Sequence, residues 1–363
     1  MNKTNFLILI IATFFGNASK AQERYLKLDS LLTTRYQNQE FSGVVIVAEG
    51  DEITYANALG YADYEQKIPL NLSTQFGLSS GSKLFTAVAI AQLVEQNKLS
   101  FHTKVSEFFP ELSFASKVDV HQLMTHSSGL GNFQTVKGFS YQNVNSCIDA
   151  LSFLKDEPLL FEPRDSAYYA TSNLLVLGAM VEKISGLTFP KYVKKNILEK
   201  LGLDRTTFDT YFYIQDYEAR DGRYARGYIK NKEEQIVEKN RYKNEWTHVT
   251  LSAGGMWASA TDLLKFDRAI FSGNLFNEEL LKPMTAHHVF TGWEGTYFGY
   301  VFNIINVNSH KEGAGHAGNS SGHHSFNFHY ENKDTTLIIL TNYGFIDIFE
   351  LAHSQIEPIL FDE

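Results

Sequence analysis

Ser80-Gly81-Ser82-Lys83 sets a hydroxyl and an amine three residues apart. On a helix that spacing puts both on one face, within reach of each other. The amine can then take the hydroxyl proton and leave an oxygen able to attack an acyl carbon. The pattern alone is common, and Ser152 to Lys155 repeats it in a segment with no helix-start signal, which reads as surface. Ser80 has a better context. It falls where an extended stretch, Gln75 to Leu78, gives way to a helix beginning near Ser82, so that unpaired N–H groups of a first turn face it. A competing pattern overlaps it: Gly77-Leu78-Ser79-Ser80-Gly81 fits G-x-S-x-G, an elbow between strand and helix with Ser79 as the attacker. A second match, Gly318 to Gly322, lies too near the C-terminus for an acid, a histidine and further sheet to follow.

Positioning such a group requires elements on both sides. Phe41 to Gly50 and Ile53 to Tyr61 read as two strands joined by a turn at Gly50 and Asp51. Phe298 to Val307, Ser325 to Tyr330 and the β-rich apolar run Thr335 to Asn342 read as extended. Between them, Lys83 to Leu99 shows apolar residues at helical spacing with Gln and Glu opposite. Asn173 to Ile184 repeats the pattern and stops at Gly186. Asp262 to Phe271 does so with Thr261 as a plausible cap and Gly273 as its end. The pattern implies an α/β fold in which an antiparallel sheet formed by the N- and C-terminal segments is flanked by helices and carries an inserted, mostly helical subdomain. We expect one catalytic domain over residues 22–363, with sheet at about 40–80 and 290–363 and helices at about 81–289. Tyr213 to Asn244, polar and aperiodic, reads as a surface excursion.

Lys3, the apolar run Phe6 to Phe15 and the small residues up to Ala21 describe a secretory leader, cut after Ala21. The expected location is periplasmic or secreted, with no stable membrane anchor, since the run is too short to span a bilayer and no later segment is long enough. The formal charge of −9 and the lack of a basic run argue against a nucleic-acid partner. Cys147 is the single cysteine, which excludes an internal disulfide and cysteine-rich metal sites, and it reads as a small buried apolar group.

Six segments in order resemble the serine β-lactamase and penicillin-binding-protein superfamily, in its class C and D-Ala-D-Ala carboxypeptidase/esterase branch. FSGVVIVAEG (Phe41 to Gly50) is similar to its opening strand, and FGLSSGSKLFTAVAIAQLVEQNKLS to its nucleophile helix. VHQLMTHSSGL (Val120 to Leu130) resembles its LLTHTSGL turn, and FEPRDSAYYATSNLLVLGAMVEKISG its tyrosine motif. LSAGGMWASATDLLKF (Leu251 to Phe266) resembles its AGGL helix start, and GHAGNSSGHHSF (Gly315 to Phe326) its third motif.

The resemblance implies a β-lactamase/transpeptidase-like fold, Ser80 rather than Ser79 as nucleophile, and Lys83 as its partner. Tyr169, with Tyr168 as an adjacent rival, takes the place of the family's tyrosine and would act as general base with Lys83 and then as acid to the leaving group. Thr171 stands where the family has asparagine, and a threonine cannot match contacts to both the lysine and a substrate amide. His316-Ala317-Gly318 stands where the family usually has Lys-Thr-Gly, or His-x-Gly in many esterases and peptidases. Gly318 would let an edge strand approach the substrate. The backbone N–H groups of Ser80 and Asn319 would hold the oxyanion. His316, mostly neutral at pH 7, would hold a substrate carboxylate less strongly than lysine. These two departures point to hydrolysis of an ester or a small D-amino-acid amide or peptide, through an acyl-enzyme and without cofactor, rather than to an efficient class C β-lactamase. The partner is a small-molecule or peptide substrate, cell-wall derived on the family's pattern. Two rivals stand beside this reading. A catalytically weak sensor of penicillin or peptidoglycan would share the fold. A zinc site could be drawn from His316, His323, His324 and His329, but their separations fit no common site.

Overall fold

The computed structural model describes residues 22–141, 144–208, 219–239, 251–308 and 311–361. The expected leader, residues 1–21, and parts of the expected excursion from Tyr213 to Asn244 lie outside the described residues.

A helix, α1 (residues 22–37), leads into the hairpin β1 (Gly43–Glu49) and β2 (Glu52–Leu59). The short strands β3 (Gln75–Gly77), β4 (Thr206–Phe208) and β5 (Met256–Ser259) form a three-stranded sheet of their own, with β5 in the middle. Between them run α2 (Lys83–Glu95), α3 (Val120–Met124) and α4 (Thr171–Ser185), and α5 (Ala260–Phe271) follows. The chain ends in β6 (Val289–Phe290), β7 (Thr296–Phe298), β8 (Asn303–Asn308), β9 (Lys311–Ser320), β10 (His323–Tyr330), β11 (Thr335–Thr341) and a helical tail, Glu350–Phe361. The large sheet has the order β6-β7-β8-β9-β10-β11-β1-β2, antiparallel throughout. The two ends of the chain meet where β1 pairs with β11.

The register explains why β1 reads as an unbroken apolar run. Val44 and Ile46 lie opposite Leu340 and Ile338 and face the helical body, while Val45 and Val47 lie opposite Ile339 and Leu337. The latter pack on Leu28 and Leu32 of α1 and on Leu351, Ile356 and Leu360 of the tail. A strand covered on both faces needs an apolar side chain at each position.

α2 departs from the sequence expectation. Eleven of its thirteen residues are buried, including Gln92, so it has no solvated polar face. Gln92 donates to the carbonyls of Asn196 and Leu275 and accepts from the Tyr192 hydroxyl, which removes the cost of its burial. A helix enclosed on all sides is a rigid support for what its first turn carries.

Four other expectations are corrected. Ser259, not Thr261, caps α5, its hydroxyl accepting from the Asp262 N–H at 3.2 Å, because the chain is still extended at Ser259 and helical from Ala260. The stretch Phe298 to Val307 is two strands, broken at Val301, where φ is +69°. Ser152 follows a short helix capped by Ser146, although it is exposed as expected. In the described part of Tyr213 to Asn244, residues 224–228 are buried. There Arg226 pairs with Glu238, and its carbonyl accepts from the Asn342 amide at 2.9 Å, so the segment is part of the body and not a surface loop.

Cys147 is fully buried against Ser252 and Gly178, and burial, followed by the Glu182 carboxylate, pushes its thiol up to about 12. Only the thiolate reacts with disulfide reagents. The folded protein should therefore leave such a reagent unreduced at pH 8 and titrate one thiol after unfolding. One equivalent released from the native protein would contradict this packing.

Candidate active site

The turn before α2 is held from three sides. The Leu78 N–H donates to the Met256 carbonyl at 2.8 Å, and the Met256 N–H donates to Ser82 Oγ at 3.1 Å. The Leu78 carbonyl accepts from the Gly81 N–H at 3.0 Å and from the Ser325 hydroxyl at 2.8 Å, which uses both of its lone pairs. Between these anchors Ser79 takes φ +50°, a conformation that a non-glycine residue keeps only where its surroundings impose it. A tight turn over Ser79–Ser82 follows and runs into α2.

This arrangement presents Ser80 to Lys83, the first residue of α2. Lys83 is 1% exposed, and its Nζ donates to Ser80 Oγ at 2.7 Å. No carboxylate lies within ion-pair distance of Lys83 among the described residues. An amine in this place has the serine hydroxyl as its hydrogen-bond partner and can take that proton.

Tyr169 comes from a distant part of the chain and is fixed by its backbone neighbours. α3 begins with a capping box, in which Asp119 accepts from the Gln122 N–H at 3.0 Å and the Gln122 side chain accepts from the Asp119 N–H at 2.8 Å. The chain then turns sharply at His126, where φ is +56°. The His126 carbonyl accepts from the Tyr168 N–H at 2.9 Å, and its ring Nδ1 accepts from the Ala170 N–H at 3.2 Å. The residue between them, Tyr169, is thereby pointed inward. Its ring lies 5.2 Å from Lys83 Nζ, 4.6 Å from the His126 ring and 6.1 Å from the His316 ring, centre to centre, and Phe298 stacks on it. The Tyr169 hydroxyl is buried and has no hydrogen-bond partner among the described residues. Tyr168, the rival, is 43% exposed and meets the Asn132 amide at 3.4 Å.

β9 forms the facing wall. It pairs with β8 only as far as Gly315, so the expected edge strand is interior over its first half and open from His316 onward. Its open half passes the nucleophile turn so closely that a Cβ on Gly318 would lie 2.0 Å from the Leu78 carbonyl oxygen and 2.8 Å from the Gly81 nitrogen. Asn319 follows with an exposed side chain, opposite His324 on β10. His316 is buried, with Nδ1 2.6 Å from the Ala317 carbonyl oxygen. Burial, followed by the charge of Lys83, pushes its imidazolium down to about 3, so the ring is neutral.

Thr171 opens α4, but its hydroxyl lies 3.0 Å from Asn132 Oδ1 and against the Gln134 side chain, and it makes no hydrogen bond to Lys83. The remaining histidines of the expected cluster diverge. His323 packs edge-on to Trp257, and His329 stacks on Phe271 at the far end of β10. Among the described residues no three metal-binding side chains converge.

The sequence reading assigned no role to His126, Asn173, Ser128 or Ser325. The first and third lie inside the quoted segment Val120 to Leu130, which was the available signal. Asn173 lies inside the segment similar to the tyrosine motif, at the start of the expected helix. Ser325 becomes relevant only once β10 is known to touch Leu78.

A family model described as Beta-lactamase matches residues 28–347. The chain belongs to the beta-lactamase family. Among curated beta-lactamase relatives, it is 27% identical over 339 residues to "Penicillin-binding protein 4*" of Bacillus subtilis (strain 168), covering 88% of this chain and 72% of that protein. It is 25% identical over 276 residues to "Teichoic acid D-alanine hydrolase" of Staphylococcus aureus (strain MRSA252), covering 74% of this chain and 65% of that one. Among solved structures of the same fold, the octameric penicillin-binding protein homologue from Pyrococcus abyssi superposes with a TM-score of 0.79 at 26% identity, over 92% of this chain and 77% of that one. No helix among the described residues is long and apolar enough to cross a membrane.

Proposed function

We propose that this protein is an exported serine hydrolase that cleaves an ester, or a small D-amino-acid amide or peptide bond, through an acyl-enzyme. The observation that carries the reading is the 2.7 Å hydrogen bond between the buried Lys83 Nζ and Ser80 Oγ, beside the Tyr169 ring. Ser80 Oγ attacks the carbonyl carbon as its proton passes to Lys83, and the resulting oxyanion lies toward the backbone N–H groups of Ser80 and Asn319. Collapse breaks the bond to the leaving group, which takes a proton delivered past Tyr169. Water then attacks the acyl-serine, and Ser80 regains its proton as the acid departs. The beta-lactamase family membership supports hydrolysis, and the relative named teichoic acid D-alanine hydrolase supports a D-alanyl ester as the type of bond. The neutral His316 supplies no cation for a substrate carboxylate, which favours esters and small amides over the β-lactam chemistry of a class C enzyme. Export rests on Lys3, the run Phe6 to Phe15 and the small residues up to Ala21.

One observation favours a second reading, a slow acylation trap that senses penicillin or peptidoglycan: Thr171 faces Asn132 and Gln134 instead of Lys83. Pre-steady-state kinetics with a nitrophenyl ester of D-alanine separate the two. Continued release past one equivalent supports hydrolysis, and release that stops at one equivalent supports the sensor; turnover of a substrate with slow deacylation that leaves no acyl group on Ser80 after a denaturing quench ends the acyl-enzyme scheme.

A further inference from the structure

A cavity of about 480 Å³ opens on the sheet face that carries α1, opposite α2. Its inner wall is Tyr228 and Tyr343, which share a core layer with Val45 and Val47, and Tyr64 packs against them. The Tyr64 N–H donates to the Tyr228 hydroxyl at 2.8 Å, and the Tyr64 and Tyr343 hydroxyls are bonded to each other at 2.7 Å. Tyr64 stands edge-on to Tyr228, with ring centres 4.9 Å apart, and nearly parallel to Tyr343 at 6.0 Å. Three rings are therefore held in place without a ligand, which lowers the cost of binding one. Two hydroxyls bonded to each other use one of their two protons, so the second is left to donate elsewhere.

The outer wall comes from the end of α1. The Glu40 N–H donates to the Arg35 carbonyl at 2.8 Å, and the Gln39 N–H donates to the Tyr36 carbonyl at 3.0 Å. This paired turn needs a left-handed residue at its centre, a place that glycine takes at least cost. Here it is Gln39, with φ +60°. The side chain kept there lines the cavity, beside Tyr36 and Gln37 of the last helical turn. Gln37 and Gln39 are exposed to solvent, and no charged side chain among the described residues lines the cavity.

We infer that this cavity binds a neutral pyranose sugar, stacked on tyrosine and held through its hydroxyls by the Gln37 and Gln39 amides. A tyrosine ring takes the apolar C–H face of a sugar. Amides and phenols both donate and accept, as a row of sugar hydroxyls does. Other ligand classes fit less well. An anion finds no cation in the lining. An apolar group leaves the phenol and amide groups unpaired. A quaternary ammonium gains from the rings but can use none of the donors. The volume falls in the range of small-molecule sites. A free oligosaccharide and a unit of an insoluble glycan present the same ring and hydroxyls, so both are sources of such a ligand.

The test is calorimetric titration of the full chain with the soluble trimers of glucose and of N-acetylglucosamine, joined to cosedimentation with cellulose and chitin. Saturable binding of at least one trimer is expected, and it should change little between low and high salt because no charged group lines the cavity. Tyr36→Ala should weaken binding about 10-fold. Gln39→Gly removes the amide yet suits φ +60°, so the melting temperature should hold or rise while the sugar binds about 5-fold more weakly. Cosedimentation together with trimer binding assigns the site to a polymer, and trimer binding alone assigns it to a free oligosaccharide. No binding of either trimer overturns the inference, as does affinity equal to wild type in both variants. Tighter binding of tetramethylammonium than of either trimer, lost in Tyr36→Ala, overturns it in favour of a cation cage. Binding is read without turnover, so failure of the hydrolase reading leaves this result intact.

Discussion

In Ser80→Ala, covalent labelling by a fluorophosphonate is lost and kcat falls by about four orders of magnitude or more. The loss is this large because the attacking atom itself is removed and only binding and the oxyanion donors remain. Ser79→Ala should instead keep both the label and kcat within about 10-fold, since Ser79 Oγ is buried without a partner and is not bonded to Lys83. Its strained φ of +50° is imposed by the anchors at Leu78 and Ser82, which the substitution leaves in place. Lys83→Ala should lower kcat by about 10²- to 10⁴-fold. The double variant Ser80→Ala, Lys83→Ala should be no slower than Ser80→Ala, because the two groups act as one unit. Label retained in Ser80→Ala and lost in Ser79→Ala would transfer the chemistry to the elbow serine.

Gly318→Ala should be the most damaging single methyl group in the protein for activity. Its Cβ would lie 2.0 Å from the Leu78 carbonyl oxygen, an atom already held by the Gly81 N–H and the Ser325 hydroxyl. Neither side can yield cheaply, since both are backbone anchored by several hydrogen bonds. β9 must therefore move away from the nucleophile turn and take the Asn319 N–H with it. Loss of one oxyanion donor lowers kcat by about 10²- to 10³-fold, and overpacking lowers stability by about 1–3 kcal/mol. Stopped-flow acylation and thermal melting measure the two effects separately. Full activity in Gly318→Ala would show that β9 does not supply the oxyanion site.

Ser325→Ala is instructive beside it. It removes one of two donors to the Leu78 carbonyl and introduces no clash, so any effect it has reports the turn's anchoring alone.

Much of the fold was legible because periodicity reports burial. The apolar run in β1 and the one in β11 are continuous since each strand is covered on both faces, and the helical period from Asn173 ended at a glycine that indeed adopts φ +70° as the end of α4. α2 looks two-sided in the sequence because Gln92 is of a type that is usually solvated. Its burial depends on the carbonyls of Asn196 and Leu275, which arrive from far along the chain and leave no local trace. The cap of α5 lies two residues before the position the sequence suggests, for a related reason. Ser259 and Thr261 are both capping types, and only the backbone shows where the extended strand β5 stops.

The sequence by itself indicated the nucleophile's neighbourhood: a hydroxyl and an amine three residues apart at a strand-to-helix junction are placed within reach of each other by helical spacing, and they meet at 2.7 Å. It also determined the order of the segments that mark the beta-lactamase family. The tertiary structure alone decided that Thr171 faces Asn132 and Gln134 and that the His126 and His316 rings both pack near the Tyr169 ring. These are contacts between residues far apart in the chain. Their geometry follows from how the β9 edge, the His126 turn and the start of α4 pack against one another, and residue types and spacings carry no record of that packing.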